Sequence, residues 1–339
     1  MRFVIYGVGA IGGVMAAKLA LAGVEVAGIA RGAQLEALRS NGITLRTPGG
    51  VEHANFPVGP DPASLKINSG DVIVLAMKSQ DTMGALLALR DAGVTDQPIV
   101  CAQNGVANER MALRVFPNVY GMMVVMPATF VVPGEVAVFG APKAGLFDIG
   151  RYPGGTDATV TAICAKFEAA GFAAFATDRV MESKYAKLIL NLGNVLDAAA
   201  GEQPGLMELA GRVMAEGRGV LSAAGIAFGD VGPGDERRKR LVQMQPVAGA
   251  ERVGSSSAQS LRRGTGSIET DYLNGEIVLL GRLHGVPTPL NAKLVALGAW
   301  LVAERRPPGS LSLAEVEVAL APRDGEQPGI DERAAAGTK

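Results

Sequence analysis

Two sets of residues have types and spacings that could do chemistry. The first is Gly7-Val8-Gly9-Ala10-Ile11-Gly12, which follows a short apolar run, Arg2–Tyr6, and precedes the helix-period residues Val14, Leu19 and Leu21. Strand, glycine turn and helix in that order open a dinucleotide-binding unit. Gly7 permits the tight turn, Gly9 lets backbone approach a pyrophosphate, and Gly12 allows helix and strand to pack closely. The diphosphate would sit on free N–H groups at the positive end of the helix. The second set is Lys187, Asn191 and Asn194, at i, i+4 and i+7 along one helical stripe. Leu188, Ile189, Leu190, Leu192, Val195 and Leu196 fill the other directions, and a helix apolar around most of its girth is buried. Its ammonium and amides then need partners or a wet cleft. A cleft between two domains meets that need.

Other polar residues group around these two sets. The second strand ends in Gly28-Ile29-Ala30-Arg31, with no acid to receive a ribose 2′-hydroxyl. A guanidinium pairs with phosphate in bidentate fashion, so Arg31 points to NADP(H) rather than NAD, against a plain surface arginine. Lys78 follows the strand Val72–Ala76 at the carboxyl edge, where it could reach phosphate or ribose or simply begin a loop. Asn104, in Gln103-Asn104-Gly105, occupies the same edge after the next strand, as a ligand to ribose or substrate or as an ordinary turn. Glu269 and Asp271 stand near the start of a helix, where the macrodipole alone could account for acids. Ser255-Ser256-Ser257 reads as a cap, a linker or a source of hydroxyls for an anion. His53 and His284 are uninformative.

The elements that must position these residues fall into two groups. Strands at Arg2–Tyr6, Val24–Ile29, Val72–Ala76, Ile99–Ala102, Val119–Val125, Glu135–Phe139, Leu146–Ile149 and Ala173–Thr177 are expected. They alternate with helices such as Gln34–Ser40, Met83–Ala92 and Thr156–Ala170, the pattern of a doubly wound, mostly parallel sheet. Beyond residue 180 the pattern is helical: Met181–Ala200, Leu206–Ala224, Pro233–Gln243, Ser267–Leu283 and Pro289–Arg305. The expected class is therefore α/β, with an N-terminal Rossmann-type domain over 1–178, an all-helical domain over 179–306 and a loosely ordered tail over 307–339.

Composition excludes several classes. A net charge of −1 leaves no electrostatic footprint for nucleic acid or an acidic membrane. No stretch stays apolar long enough to span a bilayer. A secretory leader does not fit, because glycines at fixed offsets, Lys18 and Glu25 interrupt the apolar start. Cys101 and Cys164 lack metal-ligand spacing and read as buried thiols in a reducing compartment, the cytoplasm.

Taken in order, the glycine turn, Arg31, Lys78, Gln103-Asn104-Gly105, Pro133-Gly134, Lys187 with Asn191, and Glu269-x-Asp271-x-x-Asn274-Gly275 resemble the ketopantoate reductases (2-dehydropantoate 2-reductases). The stretch Gly285-Val286-Pro287-Thr288-Pro289-x-Asn291 is similar to the last part of that pattern, so the resemblance covers roughly residues 1–300. It implies a Rossmann domain joined to a helical domain like that of 6-phosphogluconate dehydrogenases. It also implies NADPH-dependent reduction of ketopantoate to pantoate in pantothenate biosynthesis.

By the same resemblance Lys187 is the catalytic lysine and Glu269 an active-site glutamate that also reaches cofactor. Asn104 contacts cofactor and substrate, while Asn191, Asn194 and Ser256 bind substrate. The backbone from Gly7 through Val8, Gly9, Ala10, Ile11 and Gly12, with Arg31 and Lys78, binds NADP(H). Partners are a small 2-oxo acid, with no nucleic acid and no membrane, and a homodimer is the candidate assembly. Three departures fall on the substrate side. Val195 replaces a second asparagine, Ser260 stands where an acid is usual after Gln259, and the segment from Gln259 to Glu269 is a residue longer. They leave open a related reductase of another 2-oxo acid or ketone, and a non-catalytic NADP(H) sensor.

Overall fold

A computed structural model describes residues 1–251, 254–264 and 266–321. The chain forms two compact units, one from Met1–Lys184 with Asp230–Arg252, the other from the described residues of Tyr185–Gly229 and Val253–Lys339.

The first unit is built on eight strands: β1 (Arg2–Tyr6), β2 (Val26–Ile29), β5 (Val58–Gly59), β6 (Asp71–Leu75), β7 (Ile99–Cys101), β8 (Val119–Val125), β12 (Leu146–Arg151) and β13 (Ala173–Ala176). They lie in the order β13-β12-β8-β7-β6-β1-β2-β5. Every pairing is parallel except β8 with β12. The chain leaves β1 toward β2 on one side and later returns to β6 on the other, so the strand order reverses at β1/β6. Ligands of such sheets bind outside the carboxyl ends at that reversal. Helices α1 (Ala10–Leu21), α2 (Gly32–Asn41), α3 (Thr82–Asp91), α4 (Asn108–Leu113) and α5 (Ala158–Ala169) make the crossovers. Beneath α5, the rings of Phe3, Phe147, Phe167 and Phe172 pack edge-on or tilted at centroid distances from 4.9 to 5.7 Å.

A second sheet of β3 (Ile43–Thr47), β4 (Gly50–Ala54), β9 (Ala128–Val132) and β10 (Glu135–Val138) covers the other side of α1. The sequence pattern did not separate it, and the expected strand at Glu135–Phe139 belongs here rather than to the main sheet. Its presence explains why α1 is apolar nearly all round. A methyl group at Gly12 would strike the Gly7 carbonyl, and one at Gly13 would come within 2.9 Å of Val136 in β10. Val14, Met15, Ala16 and Ala17 are fully buried between the two sheets.

The helical unit contains α6 (Val180–Asn191) from its Tyr185 onward, α7 (Asn194–Ala200), α8 (Leu206–Ala223), α10 (Ser256–Arg262), α11 (Asn274–His284), α12 (Pro289–Ala303) and α13 (Leu313–Leu320). Three differences from the sequence reading stand out. The expected continuous helix Met181–Ala200 is two helices, broken at Leu192–Gly193. The expected helix Pro233–Gln243 is α9 (Glu236–Leu241) running into β14 (Val242–Met244), which pairs antiparallel with β11 (Gly140–Pro142). Residues 230–252 thus fold with the Rossmann unit, held also by Arg237, which donates to Asp148 at 2.8 Å and lies over Phe175. Finally, part of the tail expected to be loose forms α13, with a capping box between Ser312 and Glu315. Residues 322–339 lie outside the described residues.

Candidate functional site

The glycine turn has the geometry its spacing predicts. Gly7 has φ of +102° and sits so near the next strand exit that a methyl group there would lie 2.6 Å from Met77 N. Gly9 is the N-cap of α1, supplies no side-chain cap, and a methyl group at it would meet nothing within 4 Å. The turn therefore offers uncapped helix N–H groups beneath open space, and that combination fits a dinucleotide diphosphate. Gln34 of α2 braces it from the side. Its Nε2 donates to Val8 O at 2.9 Å, and its Oε1 accepts from Gly134 N at 2.7 Å. Nothing in the local pattern singles out Gln34, whose two partners come from distant turns.

Arg31 is exposed and extended (φ −132°, ψ 159°) between β2 and α2. Lys78, half-buried, follows β6 directly across the strand reversal from the glycine turn. Behind it, Asn108 is fully buried and ties the two turns together. Its Nδ2 donates to Ser79 Oγ at 3.1 Å and to Asn104 O at 3.0 Å, while its Oδ1 accepts from Thr82 Oγ1 at 2.8 Å. Gln103 Nε2 adds a 2.7 Å bond to the same Thr82 oxygen. Asn104 is thus held by its main chain, and among the described residues its side-chain amide makes no hydrogen bond.

A buried ion pair lies next to this turn. Lys184 Nζ contacts the Glu109 carboxylate and donates to Cys101 O at 3.2 Å and Gln103 O at 3.1 Å. Burial pushes the Glu109 carboxyl above its ordinary range, against the pull of Lys184. The same burial, with the charge of Glu109, drives the Cys101 thiol well above the usual range, so this cysteine is no nucleophile. Neither Lys184 nor Glu109 was singled out in the sequence. The available signal was a lysine one turn before Lys187.

In the helical unit, Lys187 and Glu269 are half-buried. Asn191, the last residue of α6, is 7 % exposed, and its buried Nδ2 has no hydrogen-bond partner among the described residues. The helix stops there because Leu192 O is taken by Asn274 Nδ2 at 3.0 Å, and Gly193 then caps α7. Asn274 also donates to Asn291 Oδ1 at 2.9 Å. Asn291, fully buried, donates Nδ2 to Glu216 Oε1 at 2.8 Å, and the Leu290 and Asn291 N–H groups at the start of α12 donate to the same carboxylate. The break in α6–α7 is thus fixed by a polar chain drawn from three other helices.

Asn194 opens α7 and donates to Ser256 Oγ at 3.4 Å. Ser255 is the N-cap of α10, accepting from Ala258 N, and its Oγ donates to Asn194 O at 2.9 Å. Of the serine cluster, Ser255 is therefore a cap, Ser257 is buried, and Ser256 is half-buried beside Asn194. Ser260, in the position where an acid is usual, donates back to Ser256 O at 2.9 Å.

Among the described residues no cluster of His, Cys, Asp and Glu could hold a metal ion, and no helix is long and apolar enough to cross a membrane. Both described cysteines are free and buried.

Comparison with known proteins gives consistent matches along both units. Residues 3–154 match the family model "Ketopantoate reductase PanE/ApbA", and 179–299 match "Ketopantoate reductase PanE/ApbA C terminal". A 2-dehydropantoate 2-reductase of Pyrococcus horikoshii is 28% identical over 305 residues, covering 88% of this chain and 96% of that protein. One from Mesorhizobium japonicum is 29% identical over 340 residues, covering 90% and 99%. Among solved structures, a PanE/ApbA family ketopantoate reductase from Ralstonia eutropha superposes with a TM-score of 0.74 at 28% identity, over 90% of this chain and 100% of the other. D-mandelate dehydrogenase with NADH and anilino(oxo)acetate superposes at 0.73 with 21% identity, over 91% and 100%, a likeness of fold alone.

Proposed function

The chain belongs to the ketopantoate reductase family of oxidoreductases, and from that premise we propose that it reduces ketopantoate to pantoate with NADPH. Two features, one in each unit, support the proposal. One is an uncapped, open glycine turn at the strand reversal. The other is a buried amide on Asn191, one helical turn from Lys187, whose Nδ2 has no partner among the described residues. The relatives named 2-dehydropantoate 2-reductase support the choice of substrate.

Bound NADPH would supply hydride to the ketone carbon. The residues from Gly7 to Gly12 hold the diphosphate with backbone N–H groups, Arg31 pairs with the 2′-phosphate, and Lys78 reaches phosphate or ribose. As charge grows on the carbonyl oxygen, the Lys187 ammonium stabilises it and donates the proton. Asn191 uses its free Nδ2 on a substrate oxygen, with Asn194, Ser256 and Asn104 holding the remaining polar groups. Glu269 orients a substrate hydroxyl or the cofactor rather than donating a proton. The proposed setting is the cytoplasm, where buried free thiols stay reduced, and the proposed assembly is a homodimer.

A second reading keeps the chemistry and changes the substrate to another 2-oxo acid. It rests on Ser260, which replaces the usual acid and whose hydroxyl is bonded within its own helix. NADPH oxidation with ketopantoate beside smaller and bulkier 2-oxo acids separates the two. Highest kcat/KM with ketopantoate supports the first, and a tenfold preference for another acid, about 1.4 kcal/mol, supports the second. NADPH binding with no turnover of any acid would make the chain a sensor and overturn both. For Arg31→Glu, the expected result is a loss of NADPH affinity of about 10-fold or more, with NADH affinity kept or improved.

A further inference from the structure

We propose that Lys184 is a positioning residue for Asn104, with Glu109 as its counter-charge. The proposal rests on the reading above only in placing Asn104 at the reacting ligand.

The Lys184 and Glu109 side chains are 2% and 0% exposed. A pair this deep is costly to desolvate, and apolar side chains of the same volume would hold the helix as well or better. What apolar side chains could not do is satisfy the main chain at the end of β7. The ladder of β7 ends at Cys101, and the Cys101 and Gln103 carbonyls beyond it both accept from Lys184 Nζ. With the Glu109 carboxylate, these two carbonyls use all three ammonium donors. Gly105, at φ +79°, then turns the chain away.

Asn104 sits between these fixed points. Its own carbonyl is held by Asn108 and Ser79. Every main-chain acceptor from Gln103 to Asn104 is therefore committed to a buried donor, while the Asn104 amide stays available. This arrangement sets one side chain against a ligand with little freedom to move, and small displacements at such a site are costly in rate. Without the ammonium, two buried carbonyls lose their donor, and the turn must shift to find water.

The test compares four full-length proteins: wild type, K184M/E109Q, N104A and the triple variant. Removing both charges together avoids a lone buried ion. The expected loss of kcat/KM for ketopantoate with NADPH is about 10- to 100-fold in K184M/E109Q and in N104A. The triple variant should be no worse than either, because both changes remove the same interaction. Hydrogen exchange of the amides at 103–106 should accelerate about 10-fold or more in K184M/E109Q, with 7–12 unchanged. Multiplied losses in the triple variant, or unchanged exchange at 103–106 in the folded double variant, would overturn the proposal. If wild type reduces no 2-oxo acid, the reaction assigned above fails by itself, and exchange at 103–106 still decides whether Lys184 fixes the turn.

Discussion

At the turn between β1 and α1, three glycines shape the proposed cofactor site by leaving side chains out. At the break between α6 and α7, Asn274, Asn291 and Glu216 shape the proposed substrate site by filling the interior with hydrogen bonds. The first device is local, since every atom that matters lies within six consecutive residues or in the strand beside them. The second is assembled from α8, α11 and α12, with partners 82, 17 and 75 residues apart. Backbone shape can be encoded by subtraction in a short motif. Holding a helix broken in a buried place requires donors and acceptors from elsewhere, because an unpaired carbonyl there would be costly.

Substitutions in the two regions should therefore fail differently. The largest effect is expected for Gly12→Ala, whose methyl group would press on the Gly7 carbonyl and on Ile5 and Ala76. We expect a stability loss of about 3 kcal/mol or more, read as a fall in the denaturant midpoint. Glu216→Leu should cost a similar or slightly smaller amount, about 3 kcal/mol, since two main-chain N–H groups and the Asn291 amide lose their acceptor. It should also raise KM for the 2-oxo acid with NADPH affinity unchanged, whereas equal weakening of both ligands would erase the distinction between the regions. Gly9→Ala sharpens the contrast from the other side. Its methyl group meets nothing within 4 Å, so thermal stability should hold within about 0.5 kcal/mol while NADPH affinity drops about 10-fold.

The smallest effect serves as a control that belongs to neither device. Asp157 caps α5. Burial alone would raise its pKa, but hydrogen bonds from Val160 N–H, the Tyr120 hydroxyl and Arg151 hold it below the usual carboxylate range. A lowered folded-state pKa gives stability that is complete above the unfolded value near 3.9 and is lost as pH falls through the folded one. Asp157→Ala should cost about 1 kcal/mol at neutral pH. That deficit should shrink on acidification below about pH 4, with activity at pH 7 unaltered.

The same contrast explains how much was legible in the sequence. The Rossmann sheet and the glycine turn could be read because strand alternation and glycine offsets are short-range signals. The second sheet escaped because β3 and β4 are short and separated from β9 and β10 by four of the eight strands of the main sheet. The break at Leu192–Gly193 escaped because the apolar period runs through it, and only Asn274, far along the chain, takes up the freed carbonyl. Asn274 and Asn291 were visible as part of a family pattern, but their hydrogen bonds make them scaffold rather than ligand contacts. Lys184 and Gln34 carried no local mark, since each acts on main-chain groups of remote turns, and Glu109 pairs with the Lys184 side chain 75 residues further on. Residues 230–252 looked like helical-domain sequence because their strand is three residues long and its partner β11 lies about a hundred residues earlier.

The most direct measurement is the turnover of Lys187→Ala with saturating NADPH and ketopantoate, taken together with its NADPH affinity. Loss of the proton donor should lower kcat by about 10²- to 10⁴-fold while the cofactor Kd stays within about 2-fold of wild type. Undiminished kcat in the variant would contradict the assignment of that lysine.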